Sequence, residues 1–363
     1  MKRMLTAVLA LSLVLSLCAC GSGTQGETPT YPAGFSGLET LIDDARDEGR
    51  LTVCGDGDEA YMTALCQKFE TLFGISVTFR PTAKAENARG DVWLGGSDTC
   101  RALAAAGKLL AYPAENAGHL TNAAFGDGDG YWYGVAADAV VFAVNADVLR
   151  RMGISAPKDW ADLTDPVYRE LLWVPDYRTT EVGQLVAQGA AVQLGREGGI
   201  DFLTELDTSV QFYTAADDTF VKCLPTGECV IAVGWLHDGL SALQGDSADA
   251  LRVIVPASGT FGGVSASAIL ADAGHPNAAR LWQEFVLSAA GADVAAECED
   301  YRLPTVDEAA LVQSTGVALA PSLLTSPDDA ESIEDADTLI DDLMQSLTDS
   351  GVDVKDTDRW DVA

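Results

Sequence analysis

Apolar positions alternate between helical and strand spacing from residue 38 onward. Helical spacing predicts a helix over 38–49 and a second one whose buried face runs from Met62 to Phe73 and ends at Gly74. Short apolar runs predict strands at 51–54, 75–79 and 91–94. Because strands and helices alternate, this opening is typical of a parallel sheet with helices on its faces.

The same alternation continues along the rest of the chain. Ser97 or Asp98 is expected to cap a helix that runs to about Leu110. The runs 135–145 and 262–270 are long enough to cross from one lobe to another. The other predicted strands are 171–175, 209–213, 229–233 (closed by Gly234) and 251–255, and the other predicted helices lie near 181–195, 198–206, 217–224 and 239–244 and from Pro276 onward.

The last part of the chain is strongly acidic. Residues 326–358 carry few apolar positions, which predict a surface helix near 337–347, with disorder as the alternative. The whole chain has 363 residues and a formal net charge of −33. Its length suits two lobes, and its charge repels nucleic-acid backbones, which excludes nucleic acid as an expected partner. An anionic ligand would need local help from helix N-termini.

The N-terminus has the pattern of an export signal. Lys2 and Arg3 precede an apolar run, Leu5 to Leu17, that is shorter than a usual membrane span. Leu17-Cys18-Ala19-Cys20-Gly21 resembles the lipobox of bacterial lipoproteins. The resemblance implies a signal peptide over 1–19, lipidation (palmitate among the acyl groups) at Cys20, and a flexible tether over 20–37. An ordinary secretory peptide is the alternative, and both imply export.

Six cysteines remain beyond the lipobox: Cys54, Cys66, Cys100, Cys223, Cys229 and Cys298. Six cysteines allow about 15 pairings, so the connectivity stays open. Cys223 and Cys229 flank a five-residue stretch and could close a small loop, and Cys54 and Cys66 form another plausible pair. Free buried thiols are the alternative. Their spacing and the scattered histidines do not indicate a zinc site.

The stretch Cys229–Asp238 places Trp235, His237 and Asp238 at the end of a predicted strand. In open α/β sheets, ligands bind beyond the carboxyl ends of the strands. A His-Asp pair there can accept and donate hydrogen bonds at neutral pH. The alternative is that Asp238 only caps the following helix and His237 is an ordinary strand-end residue.

A set of ordered motifs across about residues 38–305 resembles the type 2 periplasmic solute-binding family of ABC importers. Its closest branch is the one named for ferric iron, which includes phosphonate and sugar-phosphate binders. The motifs are Gly90-Asp-Val-Trp-Leu-Gly-Gly96, Gly130-Tyr-Trp-Tyr-Gly134, Phe142-Ala-Val-Asn145, Ala156-Pro-Lys-Asp-Trp160-Ala-Asp-Leu, Gly234-Trp-Leu-His-Asp238, Gly262-Gly-Val-Ser265 and Tyr301-Arg-Leu-Pro-Thr305.

The resemblance implies an α/β fold of two Rossmann-like lobes joined by a two-strand hinge, with the ligand captured between them. Lobe 1 would comprise 38–138 and 264–363, and lobe 2 would comprise 139–263. Strand ends of both lobes would converge on the cleft. The expected ligand-binding residues are Asp56, Gly57, Gly96, Ser97, Asp98, Thr179, Thr180, Tyr213, Thr214, Trp235, His237, Asp238 and Thr260.

The resemblance also bears on the ligand. In the sugar-phosphate branch a matching His-Asp pair contacts sugar hydroxyls, which would be the role of His237 and Asp238. Relatives often carry Glu where this chain has Thr260, and Asp56 would repel a dianion, so the ligand remains open. Ferric binders of the family use vicinal tyrosines, whereas Trp132 separates Tyr131 from Tyr133 here. No metal ligands are therefore assigned.

We therefore predict an extracytoplasmic substrate-binding lipoprotein of an ABC importer that captures a small anionic solute, such as a phosphorylated sugar or phosphonate. It is expected to be a monomer without cofactor, anchored through Cys20 to the outer face of the cell membrane and docking on a permease. Ferric iron or an iron chelate is the alternative ligand. An exported hydrolase using His237 and Asp238 is a further alternative, although GxSxG, Walker A and post-strand GxGxxG motifs are absent from the sequence.

Overall fold

The computed structural model describes residues 30–326, 336–360 and 362. The predicted signal peptide, Cys20 and most of the predicted tether lie outside these residues. Within the described part of the chain, no helix has the length and apolar character needed to cross a membrane.

Lobe 1 opens with the predicted alternation of helices and strands. The elements are α1 (Glu39–Glu48), β1 (Arg50–Gly55), α2 (Glu59–Phe73), β2 (Ser76–Pro81), β3 (Val92–Gly96), α3 (Ser97–Ala105) and β4 (Leu109–Leu110). Helix α2 begins where the Asp58 carboxylate accepts a hydrogen bond from the Tyr61 backbone N–H at 2.8 Å, and it ends at Gly74 with a φ of 71°. Helix α3 ends sooner than predicted, and neither Ser97 nor Asp98 caps it, because Gly96 occupies the cap position.

Lobe 2 follows a long strand, β5 (Trp132–Asn145). Its elements are α4 (Ala146–Met152), β6 (Leu172–Pro175), α5 (Glu181–Leu194), α6 (Arg196–Leu206), β7 (Val210–Thr214), α7 (Phe220–Cys223), β8 (Ile231–Trp235), α8 (Leu236–Ala242) and β9 (Leu251–Ile254). Gly234 does not close β8, as the sequence predicted, but lies within it. Helix α8 starts directly after Trp235, so His237 and Asp238 stand on its first turn and not in a loop before it.

The chain then returns to lobe 1 through β10 (Thr260–Leu270). It continues as α9 (Pro276–Val286), α10 (Ala289–Ala292), α11 (Val294–Glu297), β11 (Leu303–Pro304), α12 (Ala310–Thr315), β12 (Leu324–Thr325) and α13 (Ala336–Asp349). The predicted helix near 337–347 is therefore present.

One mixed sheet runs through both lobes, in the strand order β2-β1-β3-β10-β5-β8-β6-β7. Strands β5 and β10 are antiparallel neighbours at its centre. Strand β10 then pairs with β3 of lobe 1, and β5 with β8 of lobe 2. These two strands are the predicted crossings, and they form the hinge. They approach closely at Gly262, where a Cβ would collide with the Asp138 carbonyl.

Each lobe has its own hydrophobic core. In lobe 1, Phe69 and Phe73 of α2 pack against Trp282 and Phe285 of α9, with ring centroids 5.4 to 6.3 Å apart. In lobe 2, Phe142 of the hinge strand packs edge-on against Trp160 with centroids 4.9 Å apart. Helices lie against the sheet because their apolar faces are buried there, away from water.

The C-terminal segment packs on lobe 2, not on lobe 1 as predicted from the sequence. Leu343 and Leu347 of α13, together with Trp360, belong to the lobe 2 core. The Trp360 ring stacks on Tyr213 with centroids 3.7 Å apart. Val362 forms a parallel bridge with Thr214 at the edge of β7. The apolar residues of this acidic segment therefore pack into the lobe 2 core, and Val362 pairs with the β7 edge of the sheet.

Candidate functional site

The candidate site is the cleft between the lobes, where charged groups of both lobes surround one histidine. His237 lies on the first turn of α8, and its charge environment includes Asp138 of the hinge, Asp238 of lobe 2 and Asp300 of lobe 1. Asp217 and Asp218 act on Asp238, and Asp58 acts on Asp300. We call this group of six carboxylates and His237 the cleft cluster.

His237 is held by its hinge neighbour. Its Nδ1 lies 2.5 Å from Oδ2 of Asp138, and its backbone N–H donates to Oδ1 of the same carboxylate at 3.2 Å. Its Nε2 lies 3.5 Å from Oδ1 of Asp238. The pairing of β5 with β8, with Val140 opposite Trp235, brings Asp138 to the start of α8. The imidazole is therefore fixed between two carboxylates, while 34% of its side chain remains exposed.

The surrounding carboxylates raise the pKa of His237. Burial by itself lowers that pKa, but the hydrogen bond with Asp138 and the negative charges of Asp138, Asp238 and Asp300 outweigh burial. The protonated imidazolium is thus the favoured form over a wider pH range than for a free histidine.

Several carboxyl groups of the cleft have a raised pKa, so they ionise at a higher pH than a free carboxyl group does. Burial, with a smaller contribution from the nearby Asp218, Asp138 and Asp217, raises the pKa of Asp238 to about 6 against the opposing effect of His237. Burial also raises the pKa values of Asp217 and Asp300. Like charges confined in a partly desolvated cleft favour the neutral acid, so a cationic or hydrogen-bond-donating group would relieve this strain.

Lobe 1 contributes Asp300 to the cleft cluster, and the guanidinium of Arg302 pairs with its carboxylate. The Nε of Arg302 donates to Oδ1 of Asp300 at 2.9 Å, and its guanidinium lies 5.6 Å from the centre of the Tyr61 ring. Oδ2 of Asp300 is buried and has no hydrogen-bond partner among the described residues. Burial of this carboxyl agrees with the raised pKa of Asp300.

Three of the helix N-termini near the cleft are already satisfied by the protein's own carboxylates. Asp58 accepts from the first turn of α2, Asp138 accepts from the first turn of α8, and Asp217 accepts from the Val182 N–H of α5 at 3.2 Å. Thr180 also caps α5 through the Gly183 N–H. Because each position carries a carboxylate, these N-termini do not attract a second anion.

The N-terminus of α3 differs, since no side chain caps it. A recess of about 80 Å³ lies beside it, lined by Ser97, Asp98, Arg101, Trp132 and Gly263 among others. Arg101 pairs with Asp98, and its guanidinium lies 5.5 Å from the centre of the Trp132 ring. Gly263 lies opposite Asp138 in the hinge, so this recess opens near the cleft cluster.

The structure divides the residues predicted for ligand binding into two groups. Those that keep exposed or partly exposed surface are Asp56, Gly57, Gly96, Asp98, Thr179, Trp235, His237 and Asp238. Ser97 is 6% exposed. The other four are buried within the fold, and the hydroxyls of Thr180, Tyr213, Thr214 and Thr260 all donate to protein oxygens. The fold alone accounts for these four side chains.

Of the six carboxylates in the cleft cluster, sequence reasoning identified only Asp238 and missed Asp58, Asp138, Asp217, Asp218 and Asp300. One signal was available for Asp138, which is the single charged residue within the otherwise apolar run of β5. Asp217 and Asp300 lie in turns rich in acidic residues, and nothing in their local pattern separates them from their neighbours.

Neither a metal site nor an iron-binding tyrosine pair is evident in the described part of the chain. No group of three or more His, Cys, Asp or Glu side chains there is arranged to hold a metal ion. The Tyr133 hydroxyl donates to the Tyr112 carbonyl at 2.8 Å and accepts from the Ala114 N–H at 3.0 Å. Tyr133 therefore supports the fold.

We expect NMR titration to place the pKa of His237 above 6.5 and to show that Asp138→Asn lowers it, because the hydrogen bond and one negative charge are lost. The chain has three histidines, so their ring signals can be assigned by substitution. Asp307→Asn is the matched control, since Asp307 lies 3.7 Å from the exposed His119. A His237 pKa that is the same in the wild type and in Asp138→Asn would contradict the proposed pairing.

Comparison with known proteins agrees with this architecture. A protein from Haemophilus influenzae described as uncharacterized is 29% identical over 281 residues, covering 69% of this chain and 76% of its own length. The Bordetella ferric binding protein superposes with a TM-score of 0.60 at 17% identity, covering 81% of this chain and 99% of its own. The apo ferric ion-binding protein A of Pasteurella haemolytica gives 0.57 at 19% identity, covering 82% and 98%. At these identities the two structures show a shared fold.

The family model described as bacterial extracellular solute-binding protein matches residues 97–316, more than half of the chain. Members of this family bind a small solute outside the cytoplasm and work with an ABC permease. The fold is the two-lobed type 2 arrangement that the motifs predicted. This protein therefore belongs to the bacterial extracellular solute-binding protein family and is a substrate-binding component of an ABC importer.

Proposed function

We propose that the interlobe cleft captures a small organic solute that carries hydroxyl or amino groups at one end and a single anionic group at the other. The observation that carries this proposal is the position of His237, fixed between the carboxylates of Asp138 and Asp238. Carboxylate oxygens held in this way accept hydrogen bonds from hydroxyl and ammonium groups.

The charge of the cleft cluster supports a hydrogen-bond-donating end. Its six carboxylates face one guanidinium, that of Arg302, and one imidazole. A multiply charged anion placed against these carboxylates would be repelled, and it would find the N-termini of α2, α5 and α8 already occupied. Hydroxyl or amino groups would instead donate to the partly exposed carboxylate of Asp238.

The recess beside α3 supports the anionic end. It combines an uncapped helix N-terminus with the Arg101 guanidinium, and both attract a negative group. The phosphorylated sugar or phosphonate expected from the sequence fits this division, with the phosphoryl group beside α3 and the hydroxyls at His237. Asp98 partly offsets the positive field there.

Ferric iron or a ferric chelate is the second candidate. Two structures with this fold carry ferric binding in their names, and carboxylates are hard oxygen donors. A ferric chelate would bring ligands of its own and would need fewer from the protein.

We propose no catalytic role for His237. Both ring nitrogens face carboxylates, so the imidazole has no free nitrogen with which to activate a serine or a water. The family consists of binding proteins, which agrees with this proposal.

Attachment to the membrane is also part of the proposal. Cleavage before Cys20 and acylation of its thiol would hold a monomeric protein at the outer face of the cell membrane, beside its permease. The lipobox sequence supports this placement. Labelling with a radioactive fatty acid, abolished by Cys20→Ser, would test it.

A thermal-shift screen of the chain from Gly21 onward would identify the solute class, since a ligand that binds only the folded state raises its apparent stability. The panel would hold hexose phosphates, the matching free sugars, aminoalkyl phosphonates, polyamines, Fe³⁺ and ferric citrate. We expect the largest shift from a compound with hydroxyl or amino groups and one phosphoryl or phosphonyl group. A shift from Fe³⁺ alone would overturn the leading proposal.

We further expect the affinity for that solute to weaken about tenfold between pH 7.5 and pH 5, because Asp238 must be ionised to accept its hydrogen bonds. The pKa of this carboxyl is about 6, so most of it is protonated at pH 5. Calorimetric titration at both pH values would measure the change. An affinity that rises at pH 5 would indicate that negative charge on the ligand dominates binding.

A further inference from the structure

Two cysteines lie side by side immediately before the strand that ends at the cleft. Cys223 is the last residue of α7, and Cys229 stands two residues before β8. The backbone N–H of Cys229 donates to the Cys223 carbonyl at 3.2 Å. The five residues between them, 224–228, form a tight loop that this hydrogen bond closes.

The backbone bond sets a separation that a disulfide can span. The bond holds the two residues beside each other, and disulfides bridge Cα atoms about 4.4–6.8 Å apart. Both side chains belong to the same hydrophobic cluster, with Cys229 buried and Cys223 partly exposed at its edge. Burial raises the pKa of Cys229, and the neighbouring Cys223 raises it further, as expected for two sulfurs in close proximity.

The other cysteines of the described chain do not form a comparable pair. Cys54 and Cys66, which the sequence left open as partners, lie in different hydrophobic clusters. Cys100 shares a hydrophobic cluster with Cys54, but no backbone hydrogen bond joins the two among the described residues, and the Cys100 thiol points to the Ala266 carbonyl at 3.9 Å. Cys298 is exposed on lobe 1. The geometry thus selects one pairing among those that the sequence allowed.

We infer that Cys223 and Cys229, free thiols in this structure, form a disulfide in the exported protein. The family functions outside the cytoplasm, where disulfides form and persist. The oxidant is a disulfide-carrying thiol oxidoreductase of that compartment. The more exposed Cys223 thiolate attacks its disulfide to give a mixed disulfide, and the Cys229 thiolate then displaces it. Two protons and two electrons leave the cysteine pair, and the oxidoreductase departs as its dithiol.

The bond would stabilise the strand that carries the cleft residues. Strand β8 begins directly after Cys229 and Val230 and leads to Trp235, His237 and Asp238. A covalent closure of the loop restricts the unfolded chain at this point, so its reduction should lower the melting temperature of the protein by roughly 5 °C.

The test is mass spectrometry of the mature protein isolated from its own extracytoplasmic compartment and alkylated under denaturing conditions, with and without prior reduction. We expect Cys223 and Cys229 to be alkylated only after reduction, and their linked peptides to be lighter by two hydrogen atoms than the sum of the free ones. Cys54, Cys66, Cys100 and Cys298 should be alkylated in both samples. Alkylation of Cys223 and Cys229 without reduction would overturn the inference, as would a link to another cysteine.

A second measurement tests whether the Cys223–Cys229 disulfide raises the melting temperature. Dithiothreitol should lower the melting temperature of the wild type and of the control variant Cys298→Ser, and should have no effect on Cys223→Ser, in which the bond is already lost. Cys223 is the partly exposed member of the pair, so serine is tolerated there better than at the buried Cys229. An equal effect of dithiothreitol on Cys223→Ser and on the wild type would contradict the inference.

Discussion

Trp360→Ala should lower the free energy of unfolding by about 3–5 kcal/mol, the range measured when a fully buried tryptophan is removed. Trp360 is 1% exposed, and its ring stacks on Tyr213 at 3.7 Å. The Arg178 guanidinium lies 4.6 Å from its centre on lobe 2. The substitution would therefore leave a cavity and weaken the hold of the C-terminal segment on lobe 2.

Urea unfolding followed by circular dichroism would measure this loss. Trp235→Ala is the matched control, because Trp235 is partly exposed at the cleft and its removal should cost much less stability. Truncation before Ala336 should destabilise the protein at least as much as Trp360→Ala, since it removes α13 as well. If the truncated chain were as stable as the full one, the C-terminal segment would have no structural role.

Asp238→Asn should change stability and solute binding in opposite directions. Burial raises the pKa of Asp238 from 3.8 to about 6, so the ionised carboxylate destabilises the folded state above pH 6. Removing that charge should therefore stabilise the protein by about 1–3 kcal/mol at pH 7.5, and the gain should vanish towards pH 4. The same change should weaken solute binding by about tenfold to a hundredfold, because a charged acceptor is lost.

Chemical denaturation at both pH values, together with calorimetric titration of the solute found in the thermal-shift screen, would measure the two effects. Asp272→Asn is the control, since Asp272 is exposed on lobe 1 and the substitution makes the same change in net charge. A stabilised variant with unchanged affinity would place the solute away from Asp238. An unchanged stability would show that Asp238 is not strained by its neighbours.

The hinge shows how far local patterns reach. The runs 135–145 and 262–270 predicted two crossing strands, and β5 and β10 are those strands. A central strand of a sheet is buried on both faces, so its sequence is a nearly continuous apolar run. Such a run can be recognised from the local sequence. The sequence could not indicate that Asp138, within one of these runs, contacts a residue 99 positions away.

The stretch around His237 shows where local patterns fail. The sequence predicted that strand β8 would close at Gly234, with His237 and Asp238 at the strand end just before a helix near 239–244. In the structure, α8 begins at Leu236, and its first turn is held by the Asp138 carboxylate. A cap supplied from a distant strand leaves no mark in the local sequence, so the boundary was misplaced.

The C-terminal segment was misplaced for a related reason. Its acidic composition and sparse apolar residues predicted a surface helix, with disorder as the alternative, and the family resemblance assigned it to lobe 1. Three of its apolar residues, Leu343, Leu347 and Trp360, are buried in the lobe 2 core, and others pack against that core. Composition averages over such residues, whereas packing depends on where each of them lies.

The sequence by itself determined the alternating α/β elements, the two crossing strands and the likeness to solute-binding proteins, because these follow from the spacing of apolar residues and from motifs in a fixed order. Only the tertiary structure decided which carboxylates surround His237, which predicted hydroxyls the fold uses for itself, and which lobe the C-terminal segment joins. Those features depend on residues far apart in the chain, and a sequence pattern records separation along the chain but not distance in space.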